Sequence, residues 1–359
     1  MSAPPVRRAG PLDPAVATVD VVIPVRNEAS HIPACLESVL HQTFEPGRMS
    51  VTVIDGDSED DTVPIVERVG STRVRILPNP QRSTAAGLNL GIRSGTADVV
   101  VRVDGHCHLA PDYVQRCVDL LARTGAGNVG GLMRPKGRGV VGEAMARALC
   151  SRFGIGDSRF HFLERQEYVD SVYLGAFRRS VLAETGLYDE SLPANEDFEL
   201  NHRIRQAGYG VLLSPDIRST YAPRDSLGGI ARQFFRYGRG KARVMRTQPG
   251  SIQARHLAAP LLVMLLVVSL SGLGAGGVQG AVRRRWLAVP TVYGLCVALA
   301  AAMAGRGRPR VTAALMVVFP ALHVSWGLGL LSGLAGQSIR GEPAIQDVPT
   351  LSAAEEAIG

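Results

Sequence analysis

The segment that most limits what this chain can become is Asp98-Val-Val-Val-Arg-Val-Asp104-Gly-His106. Three consecutive valines and a fourth two residues later predict a strand covered on both faces, as in a parallel α/β sheet. The strand stops abruptly in a carboxylate, a glycine and an imidazole. An acidic residue just past the C-terminal end of such a strand lies where open α/β sheets bind their ligands. Asp104 and His106 are two residues apart, so a turn can aim both at one metal-bound phosphate. The segment is therefore a candidate active site.

The surrounding pattern supports an α/β domain. Val19 to Val25 is a mostly apolar strand with Arg26-Asn-Glu28 in the following loop, and Ser30 is the expected cap of a helix carrying Ile32, Cys35, Leu36, Val39 and Leu40 at helical spacing. Val51 to Ile54 predicts a second strand running into Asp55-Gly-Asp-Ser-Glu-Asp-Asp61. Thr62 is the expected cap of the next helix, with Pro64 in its first turn. A strand over 73–77, a helix over 84–93, the strand over 98–103 and a helix over 112–122 continue the alternation expected of a doubly wound sheet. Beyond Gly125 the pattern loosens: a strand over 127–133, a mixed-face helix over 137–153, short segments at 169–173 and 175–177, a helix over 179–185, and a last helix opened by Asn195-Glu-Asp197 and closed by Gly208.

The final third has a different composition. No Asp, Glu, Lys or Arg occurs from Leu257 to Val282, from Trp286 to Gly305 or from Val311 to Ile339. Each run supplies the roughly 20 apolar residues that cross a bilayer. The first is interrupted by Ser271-Gly-Leu-Gly-Ala-Gly-Gly277, so the region holds two or three membrane helices, depending on whether that segment spans or re-enters. The net charge of +7 does not mark a nucleic-acid binder. Between Arg224 and Arg255 stand eight Lys or Arg and one acid, a basic belt that faces anionic lipid and favours a cytosolic catalytic side. Met1 to Pro14 lacks the apolar core of a secretory signal. The five cysteines show no Cys-x-x-Cys spacing, so a reducing compartment is expected.

Two strands, the second and fourth, end in the carboxylates Asp55 and Asp104, and acids on separate loops at one sheet edge converge. Such a site suits a divalent cation carrying a diphosphate, because carboxylate and phosphate oxygens share Mg2+ or Mn2+. Asp55 is equally the kind of residue that caps a loop. Glu196-Asp197 offers a carboxylate able to take the proton of an attacking hydroxyl, although acids are also favoured at any helix start. His202 is expected on the surface.

In order along the chain, Val21-Val-Ile-Pro-Val-Arg-Asn-Glu28, Ile54-Asp-Gly-Asp-Ser58, Asp60-Asp-Thr62, Asn89-Leu-Gly-Ile92, Asp104-Gly-His106, Gly175-Ala-Phe177 and Asn195-Glu-Asp197 resemble family 2 glycosyltransferases of the GT-A fold over about residues 19–240. Within that family the chain is most similar to the bacterial exopolysaccharide branch, the succinoglycan-type glucosyltransferases with C-terminal membrane segments. The resemblance implies that Pro24, Arg26, Glu28 and Asp55 hold the nucleotide, with Gly175 also on the nucleotide-sugar side. It implies that Asp104 touches ribose or the metal-bound diphosphate, that Asp197 is the base for an inverting transfer, and that Glu196 orients it. His106 departs from the family's Asp-x-Asp. Imidazole binds Mn2+ but suits Mg2+ poorly, so His106 is either a metal ligand beside Asp104 or a loop residue stacking on the nucleotide.

Arg232, Arg236, Arg239 and Arg243 share one helix face, with Ile230, Phe234 and Tyr237 on a neighbouring one, which predicts an interfacial amphipathic helix. Gln233-Phe-Phe-Arg236-Tyr237 is similar to the Gln-x-x-Arg-Trp motif of processive relatives. On that likeness Gln233 and Arg236 lie over the acceptor or the donor diphosphate; otherwise the helix is a lipid-facing anchor only. The expected organisation is a disordered tail (1–18), a Rossmann-like GT-A nucleotide-diphospho-sugar transferase domain (19–225), the amphipathic helix (226–256), a membrane region (257–340) and a second tail (341–359). The expected function is inverting transfer of a hexose from a nucleotide-sugar, a UDP-sugar by preference, to a polyprenyl- or other lipid-linked saccharide, in exopolysaccharide or cell-envelope glycan synthesis. A divalent metal is the expected cofactor. The protein is placed in the inner or plasma membrane as a multi-pass protein with a cytosolic catalytic domain and no nucleic-acid partner. A processive synthase, a nucleotidyltransferase and a non-catalytic scaffold are the alternatives.

Overall fold

The computed structural model describes residues 7–336 apart from 157–158, 193, 249–250, 254 and 275–280. In chain order the elements are β1 (Val19–Val25), α1 (Ile32–Leu40), β2 (Met49–Asp55), α2 (Thr62–Gly70), β3 (Val74–Pro78), α3 (Thr84–Arg93), β4 (Val99–Arg102), β5 (Cys107–Leu109), α4 (Tyr113–Thr124), β6 (Asn128–Pro135), α5 (Gly139–Leu149), α6 (Arg152–Ile155), β7 (Glu167–Tyr168), β8 (Ala176–Arg178), α7 (Arg179–Thr185), α8 (Glu196–Gln206), β9 (Val211–Tyr221), α9 (Leu227–Thr247), α10 (Arg255–Gly274), α11 (Ala281–Gly305) and α12 (Pro309–Leu334). Their described residues form two compact units, one within 1–134 and 159–221, the other within 135–158 and 222–340. Within the stretch expected as one domain over 19–225, α5 and α6 group with the C-terminal helices.

In the first unit one sheet runs β3-β2-β1-β4-β8-β6-β9-β5, with β7 paired to β9. β1 pairs in parallel with β2 and β4, and β2 with β3. Beyond β4 the pattern turns mixed, because β8 meets both β4 and β6 antiparallel. The alternation of side chains along a strand builds two cores. Val21, Ile23, Val99 and Val101 pack with α1, α2 and α4 on one face, whereas Val22, Ile54 and Val100 pack with α3, α7 and α8 on the other. The valine run is therefore covered on both faces, as its composition requires.

Several local expectations change. α1 begins at the cap position His31 with no side-chain cap, and Ser30 Oγ instead meets His31 Nδ1 at 2.9 Å. Thr62 is the first residue of α2 rather than its cap, and its hydroxyl accepts the Glu28 N–H at 2.7 Å. No strand forms over 169–173. β5 and β9 lack a sequence signal. β9 carries Pro215 and Asp216 between its pairing to β7 at Leu212 and Leu213 and its pairing to β5 at Ser219 to Tyr221, and it also lies beside β6 in the sheet. Of the expected tail, Arg7 bridges to Tyr209, Ala9 N–H donates to Gly125 O at 2.8 Å and Ala17 is buried; residues 1–6 and 341–359 lie outside the described residues.

Asp20 fastens the middle of the sheet from inside a valine strand. Only 7% exposed, its Oδ2 accepts Ala97 N–H at 3.0 Å and Arg179 at 2.6 Å, while Oδ1 accepts Ser50 Oγ. Truncation leaves the half-buried Arg179 guanidinium without its carboxylate and the Ala97 amide without its acceptor. Asp20→Ala is expected to lower the unfolding free energy by about 2–4 kcal/mol, read as a shifted denaturant midpoint at unchanged slope.

The second unit comprises α5, α6 and α9–α12. Among the described residues, three of its helices are long and apolar enough to cross a membrane: His256–Leu273, Arg285–Gly305 and Pro309–Leu334, with mean hydropathies of 2.1, 2.0 and 1.8. α9 is amphipathic as expected, but its apolar face is turned to protein. Ile230, Phe234, Ala242 and Met245 are buried, and Phe235, Gly238 and Ala242 pack against α12. That face is therefore taken up by protein rather than offered to lipid.

Candidate active site

The site forms where the parallel strands end. β2 and β4 flank β1, so Asp55 and Asp104 stand on opposite sides of the loop that follows Val25. That loop is knitted to the next one. Ser58 Oγ donates to Asp55 Oδ1 at 2.6 Å and accepts Asn27 N–H at 2.9 Å, Asn27 Oδ1 accepts Glu59 N–H at 2.8 Å, and Asp60 Oδ2 accepts Ala29 N–H at 3.1 Å. Asn27 and Asp57 take left-handed backbone (φ 52° and 62°), conformations that Asn and Asp tolerate better than most residues. Asp55 therefore organises its own turn as well as facing the cleft. Arg26 lies 3.8 Å from Glu59. Pro24 sits on β1 in register with Ile54.

Glu28 has a more specific place than its local pattern implies. It is 8% exposed, with Oε1 3.1 Å from His106 Nδ1 and Oε2 3.3 Å from His31 Nδ1. Burial works against its ionisation, but the His106 and His31 imidazoles outweigh it and lower the carboxyl to about 2. With Nδ1 engaged on Glu28, Nε2 is the nitrogen His106 turns toward any ligand.

Arg102 is a site residue that was not among those expected. Its guanidinium, on a side chain only 6% exposed, sits at the end of β4. Nε donates to Asp104 Oδ1 at 3.0 Å, and NH1 lies 3.0 Å from Glu196 Oε1. The ring of Tyr188 lies 5.8 Å from the guanidinium carbon. Asp104 Oδ2 accepts Tyr173 OH at 2.6 Å. Burial raises the Asp104 carboxyl, yet Arg102, His106 and the Tyr173 hydroxyl together hold it below its usual range. The signal was present in the sequence: an arginine inside a valine run has no water to solvate it and must meet carboxylates.

The second pair of carboxylates opens α8. Asn195 precedes the helix at φ 65°, a left-handed turn that sets Glu196 and Asp197 at the helix start. Asp197 is half-buried and accepts the Phe198 N–H at 2.7 Å. Burial and the adjacent Glu196 push its carboxyl up, to about 6, against the opposing pull of Arg102. A carboxyl so placed takes a proton near neutrality more readily than an ordinary aspartate. His202, expected on the surface, is buried at 5% exposure, because α8 packs that flank into the sheet. Phe160, His161, Tyr173 and Tyr221 form an aromatic cluster beside Asp104, with neighbouring ring centroids 4.7–6.4 Å apart.

Gly175 belongs to the same neighbourhood for a packing reason. Its carbonyl accepts Arg102 N–H at 3.0 Å, and a Cβ built on it would lie 2.6 Å from Asn128 Oδ1 and 2.8 Å from the Phe177 ring. Asn89, from the Asn-Leu-Gly-Ile segment, ties down the Tyr188 backbone with bonds of 2.9 Å to its carbonyl and from its amide. Thus Glu28, Asp104, His106, Glu196 and Asp197 gather around Arg102 and its partners, and Asp55 joins through the loop network. Gln233 and Arg236 lie on α9 in the second unit, where Gln233 donates to Tyr237 OH at 2.9 Å.

Asp104, His106 and Cys107 offer ligand atoms within 4.8 Å of one another. Burial drives the Cys107 thiol well above its usual range, so it stays protonated and is a poor ligand for a hard cation. The carboxylate and the imidazole are the two groups that fit a divalent ion, and an O,N pair suits Mn2+ better than Mg2+.

Comparison with known proteins fits this geometry. Residues 20–186 match the family model Glycosyl transferase family 2. The succinoglycan biosynthesis protein ExoA of Rhizobium meliloti (strain 1021) is 30% identical over 322 residues, covering 86% of this chain and 92% of that protein. A dolichyl N-acetyl-α-D-glucosaminyl phosphate 3-β-D-2,3-diacetamido-2,3-dideoxy-β-D-glucuronosyltransferase of Methanococcus voltae is 23% identical over 238 residues, covering 64% of this chain and 74% of that protein. Among solved structures, the mannosyltransferase PcManGT from Pyrobaculum calidifontis, in complex with GDP-Man and Mn2+, shares the fold with a TM-score of 0.64 at 20% identity, covering 93% of this chain and 91% of that one.

Removing Arg102 leaves Asp104 and Glu196 buried without their cation. Arg102→Met is expected to cost about 3–5 kcal/mol of stability, and Gly175→Ala about 1–3 kcal/mol through overpacking. Denaturant unfolding of both variants tests this, and unchanged midpoints would contradict it.

Proposed function

As a member of glycosyl transferase family 2, the chain is a sugar-transferring enzyme of exopolysaccharide or other glycan synthesis, and we propose that it moves a hexose from a UDP-sugar to a lipid-linked saccharide with inversion. One observation carries the reading: carboxylates from β4 and from the start of α8 meet on a single buried arginine. A donor-side acid and a base-side acid are thereby fixed relative to each other, and one acid on that second side is held near neutrality.

The loop of Arg26 and Glu28, with Pro24 and Asp55, binds the nucleoside, and Asp104 and Gly175 lie along the ribose and diphosphate. Asp104 and His106 hold a divalent ion, which supplies counter-charge to the diphosphate when bound. The PcManGT complex contains Mn2+ with a nucleotide-sugar, and the donor set here is compatible with the same ion. Glu28 fixes the His106 ring, and Arg102 fixes Asp104. Asp197 accepts the proton of the acceptor hydroxyl as that oxygen attacks the anomeric carbon from the face opposite the diphosphate. The bond from the anomeric carbon to the diphosphate oxygen breaks, UDP leaves, and the configuration inverts. Glu196, held by Arg102, positions Asp197 and keeps it basic.

The acceptor is a polyprenyl- or other lipid-linked saccharide. Support comes from the apolar helices and from the glycan-synthesis relatives. Gln233 and Arg236 on α9 are the proposed contacts to acceptor or diphosphate. The enzyme sits in the inner or plasma membrane, and the basic belt from Arg224 to Arg255 supports a cytosolic catalytic domain.

Asp197→Asn is expected to lower kcat by at least about 10²–10⁴-fold while UDP binding, followed by calorimetry with Mn2+, changes by less than about threefold. Transfer at the wild-type rate would remove Asp197 from the base role. Long polymer made by the purified protein from a single acceptor would contradict single-sugar transfer.

A further inference from the structure

The three apolar helices of the second unit are not equivalent. α10 and α11 present large apolar side chains outward, among them Val267, Leu270, Leu295, Leu299 and Met303, each more than half exposed. α12 instead carries a buried stripe along its whole length, through Val311, Leu315, Val318, Leu322 and Leu330. Against it pack the charged helices α5 and α9 as well as α6, α10 and α11.

Contacts occur at the start, middle and end of α12. Just before it, Arg308 pairs with Glu143 of α5, and Arg147 of α5 donates to Ala304 O at 2.7 Å. At its middle, the Phe153 ring of α6 meets Phe319 edge-on at 5.0 Å, and His323 Nε2 lies 2.7 Å from Phe153 O. Near its end, a Cβ on Gly238 of α9 would fall 2.2 Å from Trp326 O and one on Gly329 would fall 2.1 Å from Phe235 O, so the two helices touch backbone to backbone. Arg246 of α9 then donates to Leu334 O at 2.7 Å.

A helix crossing a hydrocarbon core about 30 Å thick would carry these neighbours with it. α9 bears exposed Arg232, Arg243 and Arg246, and α5 bears Glu143 and Arg147. Exposed arginines are not stable in hydrocarbon, and only those near a helix end reach the interface by snorkelling. With α5 at one end and α9 at the other, both ends of α12 are held at the level of charged helices.

We propose that α12 lies along the membrane interface, sandwiched between the charged helices α5, α6 and α9 and the lipid-embedded pair α10–α11, and does not cross the bilayer. The inference rests on the membrane reading given above and refines it. The chain enters the bilayer with α10 and returns with α11, so both ends of α12 share the face that carries α9. Arg306, Arg308 and Arg310 then join the basic belt on that one face, where anionic headgroups and the positive-inside preference both favour them.

Cysteine accessibility in cells tests this with the full chain. In a Cys150→Ser background, Arg310→Cys and Ala335→Cys mark the two ends of α12, and both native positions are exposed. A membrane-impermeant maleimide is applied to intact spheroplasts and to lysed membranes, with detergent-solubilised protein as the check that each thiol reacts. Both positions are expected to react from the same side, the side from which Arg243→Cys on α9 also reacts. Labelling of Ala335→Cys from the side opposite to Arg310→Cys would overturn the proposal while leaving membrane attachment intact. Release of the wild-type chain by alkaline carbonate would instead overturn the membrane reading and the proposal with it.

Discussion

A single buried guanidinium ties the catalytic architecture together. Arg102 has no route to bulk water, so its charge must be met inside the protein. Asp104, two residues on along the chain, meets it from one direction, and Glu196, ninety-four residues further on than Arg102, meets it from another. Sheet topology makes the meeting possible. β8 inserts beside β4 and brings Gly175 against the Arg102 backbone, and α8 packs on the same sheet through Leu200 and Ile204. Breaking this bridge would disturb stability and the relative placement of donor and acceptor groups together.

Electrostatics then divides the labour among the acids. Asp104 faces Arg102, His106 and the Tyr173 hydroxyl, and is held ionised despite burial. Glu28 faces two imidazoles and is lowered to about 2. Asp197 shares Arg102 only at longer range and has Glu196 as its neighbour, so burial prevails and its carboxyl rises. Three carboxylates within one cleft thus acquire two different behaviours from their surroundings, which is what separates a group that holds charge from one that exchanges a proton.

Much of this was legible in the sequence because the determinants are local. The valine run, the spacing of α1 and α3 and the charge-free segments depend on periodicity alone. Asp104, His106, Glu196 and Asp197 announce themselves at element ends. What was hidden depends on long-range partners. β9 carries Pro215 and Asp216 within it, so no alternating pattern marks it, and it pairs with β7 along one stretch and with β5 along another. Glu28 was expected at the nucleotide, and its pairing to His106 across seventy-eight residues has no local signature. Arg102 did carry a signal, a charge among valines, but its partner Glu196 could be found only in three dimensions. The position of α12 is similar: composition made it a membrane span, and only its neighbours argue otherwise.

The central claim is that Asp197 is the base and that Glu196 tunes it. The pH dependence of kcat/KM for sugar transfer, which reports ionisations of the free enzyme, tests it most directly when wild type is compared with Glu196→Gln. The base must be ionised, so the rate is expected to rise about tenfold per pH unit up to an inflection near 6 and to level off above it. Removing the Glu196 charge is expected to move that inflection to lower pH. An inflection in the same place in both enzymes, or an acidic limb that persists in Asp197→Asn, would contradict the account.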